Sequence, residues 1–329
     1  MSNCLVTGGA GFIGSHVALH LMEQGHRVTV MDDLSGGFVG NIPSGAEFVE
    51  GSVTDGRLVD QVMDENKVEY IFHLAAYAAE GLSHFIKRFN YHNNLIGSVN
   101  LINAAVNFGV RCFVFTSSIA VYGKGQLPMT EDMTPQPEDS YGIAKLAVEQ
   151  ELGVCHEIFG LNYIIFRPHN VYGENQNIGD KYRNVIGIFM NQAMQGLPMT
   201  IFGDGEQTRA FTYISDVAPI IARSIDVPEA LNSIFNIGAD TPYAIKDLAD
   251  VVARHMGCGK QVKYLPARKE VLHAFSSHER VKAVFGCSPK WALEDGISRM
   301  AGWARRVGPR KSKPFGEIEI LRNMPSSWN

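Results

Sequence analysis

The sequence predicts an α/β fold with a doubly wound parallel sheet, and three observations lead to that prediction. Short apolar runs alternate with helical patterns through the first half of the chain. A glycine-rich segment directly follows the first apolar run, and an acidic residue ends the second. Strands that alternate with helices require right-handed crossovers, which build a parallel sheet with helices on both faces.

Six apolar runs in the first half are typical of strands, at residues 4–7, 27–31, 47–49, 70–74, 111–116 and 163–167. The helical spacing of apolar residues predicts a helix from Phe12 that ends at Gly25, and further helices over 93–106 and 141–159. Ser140 is a plausible N-cap for the last of these, because a serine hydroxyl accepts from a free backbone N–H.

After Gly173 the alternation weakens, and residues 174–183 are polar and loop-like. Residues 184–195 are predicted to be helical, and 211–224 and 233–238 to form one more helix and strand that return to the main sheet. Helical patterns recur at 246–255 and 279–285, and we expect the basic tail, 305–313, to be solvated. These patterns predict a first domain of residues 1–173 with about 211–238. A smaller C-terminal α/β domain would take about 174–210 and 239–329.

Composition is typical of a soluble globular protein, with 45% hydrophobic and 19% charged residues among 329. The net charge of -5 gives no general attraction to nucleic acid or to an anionic membrane. Five scattered cysteines without a CxxC pair argue against a disulfide framework or a structural zinc site. Neither a signal peptide nor a run of about 18 apolar residues is visible. We therefore expect a cytoplasmic protein without a bound metal.

Residues 7–14, Thr-Gly-Gly-Ala-Gly-Phe-Ile-Gly, follow the first predicted strand and open the first predicted helix. The glycines permit a tight turn and close approach of a pyrophosphate, and the helix N-terminus supplies unpaired N–H groups. Asp32 ends the second strand, where a carboxylate accepts hydrogen bonds from an adenosine ribose and repels a 2′-phosphate. No Arg or Lys occurs at 33–37. The sequence therefore predicts a Rossmann-type sheet that binds NAD rather than NADP.

Tyr141 and Lys145 lie four residues apart on a predicted helix and so share one face. A nearby ammonium stabilises a phenolate, which can then act as a general base towards a hydroxyl group. The same spacing is common on ordinary amphipathic helices. Ser118, just past the strand at 111–116, could hydrogen-bond the same hydroxyl. Ser117 is the alternative if that strand ends one residue earlier.

These motifs, with others at 73–76, 94–100, 117–123, 167–173 and 202–209, resemble the extended short-chain dehydrogenases/reductases, the family of nucleotide-sugar epimerases and dehydratases. The resemblance runs from Thr7 to about residue 285. It implies NAD contacts at Gly8, Gly11, Phe12, Ile13, Gly14, Asp32, Asp33, Ser35, Gly36, Ser52, Val53, Leu74, Ala75, Ala76, Asn94, Ser117, Tyr141, Lys145 and His169. Ser52 stands where the family usually has an aspartate. Ser118, Tyr141 and Lys145 would be catalytic.

The resemblance also implies a set of substrate contacts, at Ser118, Asn170, Asn184, Val185, Thr200, Phe202, Arg209, Arg268, Glu270 and Ala274. Asn170 and the two arginines would hold a diphosphate through charge-assisted hydrogen bonds. Glu270 would hold the nucleotide ribose, although its spacing from Arg268 is one residue shorter than usual. Ala274 would leave room for an N-acetyl group on the sugar.

Members of the family share a first step, in which Tyr141 would take the proton of the C4 hydroxyl while NAD takes the C4 hydride, leaving a 4-keto sugar. Dehydratases and decarboxylases of the family usually carry acidic residues at the positions of Ile119 and Ala120, both apolar here. The resemblance therefore implies an NAD-dependent isomerase, a 4-epimerase of a UDP-hexose, in which the keto sugar turns over before hydride returns. A uronate 4-epimerase, a 4-ketoreductase or dehydrogenase, and a non-catalytic NAD-binding sensor remain alternatives. We expect a homodimer built through the helices near 93–108 and 141–159.

Overall fold

The computed structural model describes residues 1–125, 127–267, 271–312 and 314–325. The strands are β1 (Asn3–Thr7), β2 (Arg27–Asp32), β3 (Glu47–Glu50), β4 (Tyr70–His73), β5 (Cys112–Thr116), β6 (Tyr163–Pro168), β7 (Val171–Tyr172), β8 (Met199–Phe202), β9 (Thr208–Ala210), β10 (Thr212–Tyr213), β11 (Ser233–Ile237), β12 (Pro242–Ala244), β13 (Val262–Leu265) and β14 (His273–Ala274). The α-helices are α1 (Phe12–Glu23), α2 (Gly56–Asn66), α3 (Glu80–Ser83), α4 (Lys87–Tyr91), α5 (Gly97–Asn107), α6 (Ser140–Phe159), α7 (Val185–Met194), α8 (Ala218–Arg223), α9 (Ile245–Met256), α10 (Glu279–Phe285) and α11 (Leu293–Val307).

Seven parallel strands form the central sheet, in the order β11-β6-β5-β4-β1-β2-β3. The six predicted strands of the first half are confirmed, and the strand predicted at 233–238 joins the main sheet as β11, paired with β6. Strand order reverses at β1, between β2 and β4. In such sheets ligands bind beyond the carboxyl ends of the strands, at the point of reversal. The predicted Rossmann-type fold is therefore confirmed.

Successive residues of the central strands pack into two different apolar clusters. Val6 of β1 and Phe72 of β4 belong to the cluster that contains α1 and α8. Leu5 and Ile71 belong to the cluster that contains α2, α5 and α6. Both faces of the sheet are covered, which explains why its strands are continuous apolar runs rather than alternating ones.

The start of α6 differs from the prediction by one residue. Asp139 is the N-cap, and its carboxylate accepts a hydrogen bond of 2.8 Å from the backbone N–H of Gly142. Ser140 is the first helical residue, and its carbonyl oxygen accepts from the Asn90 side chain. Both residue types cap helices well, so sequence alone could not separate two neighbours.

The helix predicted over 211–224 is wrong in its first part. Thr212–Tyr213 is instead strand β10, which pairs with β7, and the α-helix begins only at Ala218. Phe211, Thr212 and Tyr213 are all buried, and a short buried run of aromatic and β-branched residues suits a strand. The helix predicted over 93–106 starts with a π-helical segment, His92–Ile96, and continues as α5.

The C-terminal tail is structured further than predicted. Residues 305–307 end α11, a helix that the sequence analysis missed although Leu293, Ile297 and Met300 are buried at helical spacing. Arg310 is not a simple solvated cation. Its guanidinium carbon lies 3.8 Å from the centroid of the Phe38 ring.

Three smaller sheets are formed by strands that come after β6 in the sequence. Their strand orders are β12-β9-β14, β13-β8 and β10-β7. They use short strands from the part of the sequence that lacks clear alternation. We retain the two-domain division as a proposal. Within the described ranges, no helix is both long enough and apolar enough to cross a bilayer.

Candidate active site

A cleft of about 500 Å³ opens at the carboxyl ends of the central strands. Most of the residues expected to bind a cofactor or substrate line it. They are Gly8, Gly11, Phe12, Ile13, Gly14, Asp32, Asp33, Ser35, Gly36, Ser52, Val53, Leu74, Ala75, Ala76, Ser117, Ser118, Tyr141, Lys145, Asn170, Asn184, Val185, Thr200, Phe202 and Arg209. The fold therefore gathers segments more than 190 residues apart in sequence around one cavity.

The turn between β1 and α1 accepts only glycine at two of its positions. Gly8 has a φ of +70°, and a Cβ there would lie 2.7 Å from the backbone nitrogen of Ala75. A Cβ on Gly14 would overlap the carbonyl oxygen of Gly8. Gly11 is the N-cap of α1 and has no side chain to occupy the first N–H groups of the helix. This cradle of bare backbone fits a pyrophosphate.

Asp32 ends β2 in the wall of the same cleft. Its carboxylate accepts hydrogen bonds from the backbone N–H groups of Ala10, at 3.1 Å, and Leu34, at 2.8 Å. Burial raises the pKa of Asp32, and these hydrogen bonds oppose that rise. A carboxylate has about four acceptor positions, so capacity remains for ribose hydroxyls. The residues present therefore fit NAD.

Two buried polar atoms in the cleft wall lack a hydrogen-bond partner among the residues that the structure describes. They are Oγ1 of Thr116 and Oε1 of Gln176. Buried polar groups are normally hydrogen-bonded, so orphans in a cavity wall indicate a site for a polar ligand.

Lys145 and Tyr141 are both buried on α6, at 2% and 5% exposure. Lys145 Nζ donates to the carbonyl oxygen of Thr116 at 2.8 Å and lies 5.8 Å from the centroid of the Tyr141 ring. Burial lowers the pKa of Lys145 to about 7, and the Glu149 carboxylate partly opposes this.

The surroundings of the Tyr141 phenol act on its pKa in both directions. Burial raises the pKa of Tyr141 above its ordinary value, and the charges of Glu80 and Asp139 raise it further. A hydrogen bond with Ser118 and the charge of Arg183 lower it. Positive charge in the cleft favours the ionised form of the phenol, because an opposite charge stabilises a phenolate.

The geometry places Ser118, and not Ser117, beside Tyr141. Strand β5 ends at Thr116, and Ser118 lowers the pKa of Tyr141 while its Oγ accepts from the N–H of Ala120 at 3.1 Å. The hydroxyl of Ser117 points elsewhere and donates to Glu149 Oε1 at 2.5 Å.

Asn94 was expected near the cofactor, but its side chain is buried behind the cleft. Its Oδ1 accepts from the N–H of Tyr77 at 2.8 Å, and its Nδ2 donates to the Tyr77 carbonyl. The neighbouring Asn93 lines the cleft instead. The π-helical segment explains the difference, because its wider turn shifts side chains around the helix axis.

His169 also turns away from the expected cofactor site. Its Nδ1 donates to the carbonyl oxygen of Ala210 at 3.0 Å, and its Nε2 lies 3.0 Å from Nε2 of His278. The carbonyl of Ala210 and a histidine 109 residues further along the chain hold the ring in the interior.

Ala274 does not border the cleft as expected. It is buried in a cluster with Ile119, Val121, Tyr122 and Met129. The argument that its small size admits an N-acetyl group therefore has no supporting contact. Arg268 and Glu270 lie outside the described residues.

Arg209 lines the cleft and also holds a neighbouring segment. Its guanidinium donates to the carbonyl oxygens of Thr208, Val271 and Leu272 at 2.8, 2.6 and 2.9 Å. The side chain expected to bind diphosphate thus anchors residues 271–272 against β9 as well.

Sequence reasoning missed Arg183 entirely, although it lines the cleft. Its Nε donates to Asp180 Oδ2 at 2.8 Å, and its guanidinium carbon lies 4.7 Å from the centroid of the Tyr77 ring. A single arginine in a polar loop carries no local signal of function. Other cleft residues not identified as ligands from sequence are Asn93, Glu138, Asp139, Gln176, Asn177 and Tyr182.

Comparison with known proteins agrees with this arrangement. The model of the NAD dependent epimerase/dehydratase family matches residues 4–238. The UDP-glucose 4-epimerase of Mycolicibacterium smegmatis is 33% identical over 309 residues, covering 92% of this chain and 98% of the relative. A UDP-N-acetyl-alpha-D-glucosaminuronate decarboxylase of Bacillus cytotoxicus is 31% identical, with the same coverage.

Among solved structures, the UDP-glucose 4-epimerase of Thermotoga maritima with UDP-glucose superimposes with a TM-score of 0.88. It is 34% identical and matches over 93% of this chain and 99% of its own. Sequence, fold and cleft agree. The chain belongs to the NAD-dependent epimerase/dehydratase family of extended short-chain dehydrogenases/reductases, and its cofactor is NAD.

Proposed function

We propose that the chain is a 4-epimerase of a UDP-hexose, acting through a transient 4-keto sugar. One observation carries the proposal: Ser118, Tyr141 and Lys145 lie together in the wall of the cleft that also contains the glycine cradle. A phenol held in this way can exchange a proton with a sugar hydroxyl. NAD, when bound, supplies the acceptor and donor of the C4 hydride.

Three side chains have separate proposed roles in the reaction. Ser118 orients the C4 hydroxyl, and Tyr141 takes its proton and later returns it. Lys145, whose Nζ is fixed by the Thr116 carbonyl, adds positive charge near the phenol ring. Asn170, Asn184, Val185, Thr200, Phe202 and Arg209 are our proposed contacts to the UDP moiety, together with Arg268 and Glu270.

Epimerisation is favoured over elimination or decarboxylation by the residues that follow Ser118. Ile119 packs in an apolar cluster with Val121 and Met129, and Ala120 has no ionisable group. These are the positions at which we expect dehydratases and decarboxylases to carry acids. The similarity to a decarboxylase at 31% identity makes the direct assay essential.

The sugar itself is proposed as glucose or galactose, with the N-acetylated pair as the second candidate. Glu80 and His84 line the cleft, and the charge of Glu80 acts on Tyr141. A carboxylate beside the reacting hydroxyl favours a neutral sugar over a uronate, because like charges repel.

We also propose a cytoplasmic homodimer formed through α5 and α6. The exposed large apolar side chains of residues 93–108 and 141–159 are Ile96, Phe108, Ile143, Val154, Ile158 and Phe159. Ile158 and Phe159 are 65% and 61% exposed. A second copy would bury this surface. Light scattering of the wild type and of an Ile158→Glu variant checks this, and an equal monomeric mass for both proteins would contradict it.

The test of function is proton NMR of the enzyme incubated separately with UDP-glucose, UDP-N-acetylglucosamine and UDP-glucuronate. Interconversion of C4 epimers without net accumulation of NADH is the expected result for at least one neutral sugar. Stoichiometric NADH would instead indicate a dehydrogenase. Loss of carbon dioxide or water from the sugar would identify a decarboxylase or dehydratase. Failure of every substrate would leave the sensor alternative.

A further inference from the structure

Helix α6 presents a third functional side chain on the face that carries Tyr141 and Lys145. Glu149 follows Lys145 by four residues, as Lys145 follows Tyr141, so all three lie along one stripe. Glu149 is only 6% exposed. A buried carboxylate next to a buried ammonium requires an explanation, because burying charge is costly unless it is paired.

Glu149 is paired with Arg167 of β6, which is 2% exposed. Arg167 donates from Nε to Glu149 Oε1 at 3.0 Å and from Nη2 to Oε2 at 2.5 Å. Ser117 adds a hydrogen bond to Oε1. This two-point contact is the strong geometry for an arginine and a carboxylate. It directs the carboxylate towards Arg167 and Ser117.

Arg167 is itself fixed on its other side. Its Nη1 donates to the hydroxyl of Tyr122 at 2.7 Å, and Tyr122 donates to Oδ1 of Asn236 at 2.8 Å. The network thus runs from the Tyr141 helix through β6 to β11. None of its members beyond Ser117 lines the cleft.

The charge count of this region is the basis of the inference. Arg167 is cationic and Glu149 is anionic, so the three side chains carry one net positive charge when Lys145 is protonated and none when it is not. His73 of β4 adds none, because burial and the charge of Lys145 hold its pKa well below the ordinary value. The other groups that face Lys145 are uncharged, namely the Thr116 carbonyl and the Phe115 ring of β5.

We propose that Glu149 and Arg167 are positioning residues that set how much positive charge Lys145 presents to Tyr141. Arg167 neutralises most of the negative charge of Glu149. Glu149 therefore does not fully cancel the positive charge of Lys145. The remaining influence of Glu149 keeps the buried ammonium protonated. The proposal rests on the acid–base role of Tyr141 in the proposed function, and it deepens that role.

Removing the charge of Glu149 and removing the charge of Arg167 should shift the pKa of Lys145 in opposite directions. In Glu149→Gln, Lys145 faces the uncompensated cation of Arg167 and loses its proton at lower pH. In Arg167→Met, the bare carboxylate of Glu149 holds that proton to higher pH. Glu80, Asp139 and Arg183 act on Tyr141 and are unchanged in both variants. A purely structural role would weaken both proteins without moving the Lys145 titration in opposite directions.

The experiment is a pH titration of Lys145 by NMR in full-length protein labelled at lysine Cε, with and without NAD. The Lys145 signal is identified by its absence in Lys145→Met. We expect the midpoint to fall by roughly one pH unit in Glu149→Gln and to rise by roughly one in Arg167→Met. The double variant Glu149→Gln/Arg167→Met restores the charge count and should titrate near the wild type.

Two further readouts keep the proposal falsifiable if a single variant folds poorly. Arg167→Lys keeps the charge and should leave the Lys145 midpoint close to that of the wild type. In the variants that remain active, the alkaline limb of the pH profile of kcat should shift in the same direction as the NMR titration midpoint of Lys145. Shifts of both charge variants in one direction, no shift, or an equal shift in Arg167→Lys and Arg167→Met would overturn the proposal. The NMR midpoints are independent of the sugar, so a wrong substrate assignment would not affect them.

Discussion

Lys145 Nζ donates to the carbonyl oxygen of Thr116 across 2.8 Å, which joins helix α6 to the carboxyl end of strand β5. This single hydrogen bond fixes the position of the cation relative to Ser118, two residues further along the chain. The ammonium is held at a buried site where its charged form is disfavoured. Protonated Lys145 therefore lowers the free energy of unfolding, and the size of this effect depends on pH.

Replacing Lys145 by methionine should change how stability varies with pH. The pKa of Lys145 is about 7 in the folded chain, against about 10.4 for an unfolded lysine, so the unfolded chain binds more protons between these values. The free energy of unfolding of the wild type should rise relative to Lys145→Met by up to about 1.4 kcal/mol per pH unit across that window. Urea unfolding at pH 7, 8, 9 and 10 measures this. Parallel curves for the two proteins would contradict the buried, readily deprotonated lysine.

Tyr141→Phe should strongly reduce turnover while leaving the fold intact. The variant loses the hydroxyl that exchanges a proton with the sugar, a contribution of about 10²-fold or more to the rate. Tyr264→Phe is the matched control, because Tyr264 is exposed on β13. Initial rates on the sugar identified by NMR provide the measurement. Unchanged turnover in Tyr141→Phe would exclude the proposed mechanism.

Gly14→Ala should reduce NAD binding, because the new Cβ would overlap the Gly8 carbonyl oxygen and displace the turn. Gly40→Ala is the control, since a Cβ at Gly40 meets no described atom within 4 Å. Isothermal titration calorimetry, in which NAD is added to nucleotide-free protein, measures the dissociation constant for NAD of each variant. We expect a weakening of about tenfold or more in Gly14→Ala, equivalent to about 1.4 kcal/mol. Equal affinities would mean that the turn does not approach the pyrophosphate.

Asp32→Asn should reduce the preference for NAD over NADP. The substitution removes the negative charge that repels a 2′-phosphate, and the remaining amide oxygen can still accept from one of the two N–H groups, that of Ala10 or that of Leu34. Asp60→Asn is the control, because Asp60 is exposed on α2 and does not line the cleft. The dissociation constant for NADP divided by that for NAD should fall by about tenfold in Asp32→Asn and change little in Asp60→Asn. An unaltered ratio would assign discrimination to another part of the cleft.

Local patterns were sufficient for the central sheet and for the cofactor turn. The inner strands β1, β4, β5 and β6 are buried on both faces, so their sequences had to be continuous apolar runs. The turn at Gly8 and Gly14 admits no side chain, so its composition was equally constrained. Tyr141 and Lys145 share a face because of helix geometry alone, which made their pairing predictable without tertiary information.

Other assignments depended on contacts between distant segments. Ser118 and Ser117 could be distinguished only when the end of β5 and the position of Glu149 were known. The side of the helix on which Asn94 lies depended on a π-helical turn that has no clear sequence signature. Arg183 reaches the cleft only because the long loop after β7 folds over Tyr77.

The amino-acid sequence by itself determined the parallel sheet, the NAD-binding turn and the spacing of the catalytic pair, because each follows from constraints between residues close together in the chain. Tertiary structure alone decided which serine meets Tyr141, where His169 and Ala274 point, and how strongly Lys145 holds its proton. Those properties depend on burial and on charges brought together from separate strands and helices. A pKa is set by its three-dimensional surroundings, and local sequence does not encode it.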